Sequence, residues 1–258
     1  MSPAPTPVVS PELRGLLRRL KLGKTLQTLP ERLALAKQHQ LDHAAFLELV
    51  LADEADRRDR TGAARRARTA GLDPTMTLEA WDAHDAVTYD HHVLSELATL
   101  RFVDDHQCAF ILGPVGVGKT HLAHALGHIA CRRRYRVHAE RSDRLFKRLK
   151  AARLDNSHEH ELRRLISVDL LILDDFALHT LDATATGDFY EIAVERHLTG
   201  STLLTSNREP PEWLAHLADP QLAQSALDRL QSAAYELVIE GDSYRRRQKP
   251  TLHNNRDR

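Results

Sequence analysis

The run Gly113-Pro-Val-Gly-Val-Gly-Lys-Thr120 limits the possible folds of this chain more than any other feature. It matches the spacing G-x-x-x-x-G-K-[ST] throughout, directly after the apolar run Ala109-Phe-Ile-Leu112 and directly before a helix-like stretch. Strand, glycine-rich loop and helix in that order form a phosphate cradle inside an α/β chain. Gly113, Gly116 and Gly118 let the backbone turn its N–H groups inward. The helix beginning near Lys119 adds its positive end, Lys119 reaches β- and γ-phosphates, and Thr120 offers a hydroxyl to Mg²⁺. Pro114, Val115, Val117 and His121 complete the stretch expected to line a bound nucleotide.

Two further segments end in polar groups that suit the same chemistry. Leu170-Leu-Ile-Leu173 reads as a buried strand, and Asp174 and Asp175 follow at its carboxyl end, the side of an open α/β sheet where ligands bind. Asp174 is expected in the Mg²⁺ shell and Asp175 beside the attacking water. Thr202-Leu-Leu-Thr205 is a second such strand, followed by Ser206 and Asn207. Asn207 is placed to position the water or touch the γ-phosphate, with a turn-forming asparagine as the alternative.

The rest of the chain supports a parallel sheet between helices. Short apolar runs recur at residues 109–112, 137–139, 170–173, 202–205 and 236–239, separated by helix-length amphipathic stretches. Asp219-Pro220 reads as an N-cap with proline in the first turn of a helix through about Gln231. Before this pattern, residues 12 to about 68 carry helical spacing alone, as in Leu13, Leu16, Leu17 and Leu20, and Gly71-Leu-Asp-Pro74 breaks it. The expected organisation is a Pro-rich tail over 1–11, a helical domain over 12–75 and an α/β ATPase domain over 76–258.

Charge and cysteine content narrow the setting. The 258 residues carry 36 Lys+Arg against 36 Asp+Glu, so net charge favours no class of partner. The distribution is uneven, with basic clusters at 57–68, 132–153 and 245–249. Two cysteines, Cys108 and Cys131, make neither a disulfide framework nor a metal-binding spacing, and no apolar run reaches membrane-spanning length. The expectation is a cytoplasmic protein without a membrane partner.

Taken with Asp228-Arg229 and Ile239-Glu-Gly-Asp-Ser-Tyr-Arg245, these segments resemble the IstB-like transposition helper ATPases. That family is a branch of the AAA+ superfamily near the DnaC helicase loaders and DnaA initiators, and the likeness covers nearly the whole chain. It implies an AAA+ core after a small all-α domain, with ATP and Mg²⁺ as cofactors. It also implies a homo-oligomer on double-stranded DNA that marks a target and recruits a cognate transposase. Arg229 becomes an arginine finger reaching a neighbour's site, and Arg245 a second arginine near the phosphates; an exposed helical arginine in an ion pair is the alternative for Arg229. Residues 141 to about 164 become DNA-tracking helices, with Arg141, Arg144, Lys147, Arg148, Lys150 and Arg153 at spacings that can line one side of a helix. A solvated basic face is the alternative there.

Two other function classes fit less of the chain. A helicase loader shares every motif, and a small-molecule phosphotransferase shares the phosphate loop but leaves Asp174, Asp175, Asn207 and Arg229 without a purpose. The continuation after Asp175, Phe176-Ala-Leu-His-Thr-Leu, departs from the Leu-Gly-Tyr-like run common in the family and leaves the transposase subgroup open. His121, His124 and His128 share a helix face without an identifiable fourth ligand, so no metal site is expected there. Trp81 suits either adenine stacking or a buried anchor.

Overall fold

The computed structural model describes residues 9–81, 87–232 and 234–244. Contacts divide the chain into Met1–Gly62 and Ala63–Arg258. The first unit holds α1 (Pro11–Arg19), a 3₁₀ turn (Gly23–Gln27), α2 (Leu29–Gln38) and most of α3 (His43–Thr69). Proline in the first turn and the Ser10 hydroxyl accepting from Leu13 N–H start α1. Arg32 forks onto Asp53 at 2.6 and 2.9 Å. Hydrogen bonds from Arg57 and Arg58 hold the buried Glu54 carboxyl down at about 2 against the opposing effect of burial.

The division falls earlier than the expected boundary near residue 75. The last turns of α3 send Ala67, with Ala70 and Leu72 just beyond, into the apolar core of the second unit. Helical spacing continues unbroken through this point, so spacing alone marks the helix end and not the change of core.

The second unit is built on one six-stranded sheet. Its strands are β1 (Val87–Tyr89), β2 (Cys108–Leu112), β3 (Val137–Arg141), β4 (Leu170–Asp174), β5 (Ser201–Ser206) and β6 (Ala234–Gly241). They lie in the order β1-β6-β2-β5-β4-β3; all pairs are parallel except β1 with β6. The five expected apolar runs are the five parallel strands. Around them run α4 (His91–Thr99), α5 (Arg101–Asp104), α6 (Lys119–Arg132), α7 (Ser142–Ala152), α8 (His158–Ile166), α9 (Ala183–Arg196), α10 (Pro210–Trp213) and α11 (Pro220–Gln231). Asp219 caps α11 as expected, accepting from Gln221 and Leu222 N–H at 3.0 and 3.1 Å.

Strand alternation sorts the core into two layers. Ile111, Ile172, Leu203 and Leu237 face Leu122 and Leu126 of α6. Phe110, Leu171, Leu173 and Leu204 face Leu145, Leu149, Phe189 and Trp213. Every residue of β4 is buried because both faces of the sheet are covered. Truncating one of its leucines to alanine removes about 2–5 kcal/mol of stability.

Arg196 fastens the sheet from beneath. It is 1% exposed, and its guanidinium donates to the carbonyls of Leu165, Ile166 and Val168 at 2.8–3.0 Å and to Thr202 Oγ1 at 3.1 Å. The carbonyls at the end of α8 therefore meet a cation, which suits their partial negative charge. Burial brings the Arg196 pKa down to about 10, leaving it charged at neutral pH.

Candidate active site

The phosphate loop follows β2 and ends where α6 begins. Gly113 has φ 144° and Gly118 φ 99°, values that side-chain-bearing residues rarely adopt. A Cβ on Gly113 would run into the Ile239 carbonyl of β6, and one on Gly118 into the Trp81 ring. The glycines thus answer to close neighbours as well as to the turn. Gly116 O accepts from Tyr244 N–H at 2.9 Å, so the residues after β6 cross the loop.

Lys119 is 5% exposed, and its ammonium donates to Gly113 O and Pro114 O, both at 2.8 Å. The next residue, Thr120, directs Oγ1 at the Asp174 carboxylate, 2.9 Å from Oδ1 and 3.1 Å from Oδ2. Asp174 ends β4 and is 5% exposed. A half-buried hydroxyl and a buried carboxylate in contact form an all-oxygen donor set, the kind Mg²⁺ takes from protein before completing its shell with phosphate and water.

A cavity of about 790 Å³ opens over the loop. Residues 115–121 line it together with Asp175 and Asn207. The structure therefore brings the loop, the β4 exit and the β5 exit to one space, at the carboxyl edge of the sheet. Asp175 has φ 54°, which turns the chain sharply after Asp174. The opposite wall comes from residues before the sheet, including Thr75, Met76, Ala80 and Trp81. Trp81 packs on Gly118, donates Nε1–H to the Tyr89 hydroxyl at 3.2 Å and tilts over His121 with ring centres 5.4 Å apart.

The three histidines of α6 hold this wall in place. His124 Nδ1 accepts from Asp73 N–H at 2.9 Å, while His121 Nε2 and His128 Nε2 meet the carbonyls of Thr77 and Asp73 at 2.8 Å each. Among the described residues, no group of three or more His, Cys, Asp or Glu side chains could hold a metal ion by itself.

The basic residues at 141–153 divide. Arg141, expected on a DNA-tracking face, lines the cavity instead, with Nε 3.2 Å from Asp143 Oδ1 and 3.7 Å from Asp175 Oδ2. It ends β3 beside Asp174 of β4, and that register carries it to the site. Arg148 is shared by Glu140, at 2.7 Å, and Glu161. Burial alone would raise the Glu140 pKa, but hydrogen bonds from His138 and Arg148 outweigh it and leave it at about 2. Arg153 meets the buried Asp188, Lys150 reaches Asp182 at 2.8 Å, and Lys147 lies 3.7 Å from Asp143. Arg144 is exposed and has no ion pair among the described residues.

Arg229 lies away from the cavity of its own chain. It sits on α11 among Cys108, Thr202 and Arg196, at the amino edge of the parallel strands, and donates to Ser225 O at 2.7 Å and Ser225 Oγ at 2.5 Å. Arg245, the second arginine expected near the phosphates, lies outside the described residues.

Sequence reasoning did not find Arg141 or the wall at 75–80 as site residues, and it passed over Thr205, whose hydroxyl touches both carboxylate residues. The register of parallel strands puts Arg141 opposite Asp174, and position along one strand does not reveal that pairing.

Comparison with known proteins agrees with this geometry. The family model described as IstB-like ATP binding protein matches residues 15–251. A protein of Mycobacterium tuberculosis, named as an ATP-binding protein in an insertion sequence, is 37% identical over 94% of this chain and 97% of its own length. The insertion sequence IS21 ATP-binding protein of Pseudomonas aeruginosa is 35% identical over 92% and 90%. Among solved structures, the DnaC helicase loader superposes with TM-score 0.54 at 21% identity, over 64% of this chain and 97% of that one. AMPPCP-bound DnaA of Aquifex aeolicus gives TM-score 0.54 at 25% identity, over 64% and 50%. The core is thus an AAA+ P-loop fold, and the chain belongs to the IstB-like ATP-binding proteins of insertion sequences.

Proposed function

We propose that this protein hydrolyses MgATP at a site completed by a second copy of itself, and that ATP-dependent assembly on double-stranded DNA lets it mark a target and recruit its transposase. One observation carries the reading. Lys119, Thr120, Asp175 and Asn207 share a cavity, while Arg229 lies at the other edge of the same sheet.

Lys119 neutralises phosphate oxygens, and the loop N–H groups hold the phosphate chain. Thr120 and Asp174 would hold Mg²⁺, which would offset phosphate charge. Asp175 accepts the proton of the attacking water, and Asn207 orients that water from the end of β5. Arg229 of a neighbouring copy adds a further positive charge to those of Lys119 and Arg141, and a guanidinium keeps its charge at any physiological pH. Arg245 acts beside the phosphates in the same proposal. Insertion-sequence relatives along nearly the full length favour transposition over helicase loading, since the likeness to the helicase loader concerns fold.

Mixing two inactive chains tests the shared site. Asp175→Asn and Arg229→Ala should each lower turnover by about a hundredfold or more, in line with losses on removing a catalytic group. Combined, they should recover part of the native rate, because some interfaces pair an intact Asp175 with an intact Arg229. Silent Arg229→Ala, or mixtures that stay inactive, would sink the shared site. Double-stranded DNA should raise the native rate in low salt and lose that effect in high salt.

A further inference from the structure

Thr205 stands between the two carboxylate residues without lining the cavity. It lies on β5 next to β4 and is fully buried. Its Oγ1 donates to Asp174 Oδ1 at 2.5 Å and accepts the Asp175 N–H at 3.0 Å. Its carbonyl accepts the Phe176 N–H at 2.8 Å. One residue thus grips three consecutive residues at the end of β4.

The middle of the three needs gripping. At φ 54° Asp175 occupies the left-handed region, which aspartate enters more readily than most residues but seldom without local support. The Thr205 hydroxyl gives its N–H a partner in that conformation. Asp174 is held from two sides, by Thr120 of α6 and Thr205 of β5. Thr120 lines the cavity and can turn its oxygen to a cation; Thr205 stays inside the sheet. The position calls for a group that donates and accepts at once, which a hydroxyl does and a methyl of the same size does not.

We infer that Thr205 is a positioning residue for hydrolysis, aiming the Asp174 carboxylate at the metal position and keeping Asp175 in the turned backbone that carries its carboxylate into the cavity. The inference rests on the ATPase reading above. Thr205 touches neither nucleotide nor metal; it acts through the two aspartates.

Thr205→Val and Thr205→Ser separate this role from packing. Turnover and the Mg²⁺ concentration for half-maximal binding of a non-hydrolysable ATP analogue are measured on the full chain, with melting temperature alongside. Val should lower turnover and raise the Mg²⁺ requirement by about tenfold, the scale of loss for groups that orient metal ligands, while the apparent affinity for metal-free nucleotide stays native. Ser should restore both to within about threefold. Native turnover and native Mg²⁺ requirement in the Val chain would overturn the role. If Val does not fold, Ser against Thr205→Ala decides in the same way, equal values overturning it. A native chain that binds the analogue but turns over no ATP defeats the ATPase reading instead, and the Mg²⁺ titration still tells Val from Ser.

Discussion

At the scale of single residues, the site depends on what cannot be added as much as on what is present. Gly118 combines φ 99° with the Trp81 ring against its Cα. Gly118→Ala should therefore weaken ATP binding by about tenfold or more, since a left-handed conformation costs an L-residue roughly 1–2 kcal/mol before the ring is displaced. Nucleotide titration followed by tryptophan fluorescence checks this, and affinity equal to the native chain would refute it. Arg141 shows how far a side chain's company alters its meaning. As a member of a basic run it reads as a DNA contact; at the end of β3 it sits 3.7 Å from Asp175 and belongs to the electrostatics of the cavity. Its neighbours Arg148 and Arg153 are likewise engaged with carboxylates of the fold, Glu140 and Asp188.

At the scale of elements, α6 joins the phosphate loop to the far wall. Its His124 accepts a hydrogen bond through Nδ1, which requires that nitrogen unprotonated. Burial lowers the His124 pKa, with the charges of Asp174 and Asp73 working against that. The neutral form is the native one, so this hold is complete above the free-histidine value of about 6.5 and is lost as pH falls through the lowered folded value. Nucleotide affinity should thus drop as pH falls below the free-histidine value of about 6.5, and more steeply in the native chain than in His124→Asn, which keeps an acceptor that does not titrate. Parallel affinity curves for the two chains would remove His124 from the account.

Elements also show which features were legible in the sequence. The parallel strands were, because each is buried on both faces and spells a continuous apolar run. The phosphate loop was, because its spacing is dictated by backbone geometry. β1 was not; three residues, Val87–Tyr89, pairing antiparallel with the edge of β6, leave no periodic trace. Thr205 was passed over, and Arg141 was read as a DNA contact alone, because their place beside Asp174 and Asp175 arises across strands, from register that no single segment encodes. The partners of the histidines on α6 are backbone groups at 73 and 77, which carry no side-chain signature.

For the whole molecule, the balance of charge matters more than the basic clusters suggest. Several expected DNA contacts are paired internally, which leaves Arg144 and the weakly held Lys147, 79% exposed, as the groups on α7 best able to meet phosphate. Replacing both with alanine should flatten the dependence of DNA binding on salt by about one counterion per residue, without altering ATP hydrolysis in the absence of DNA. Fluorescence anisotropy over a salt series reads this directly, and an unchanged slope would move the DNA surface elsewhere. Arg229 and the nucleotide cavity occupy opposite edges of one sheet. If one copy's arginine enters the next copy's cavity, the contact is head to tail, and a stack of copies has a direction. An open stack then holds one fewer finished site than it has members, with an idle arginine at one end and an unfinished cavity at the other. Growth and loss of copies at those two ends would proceed by different rules, and DNA lying along the stack would inherit its polarity.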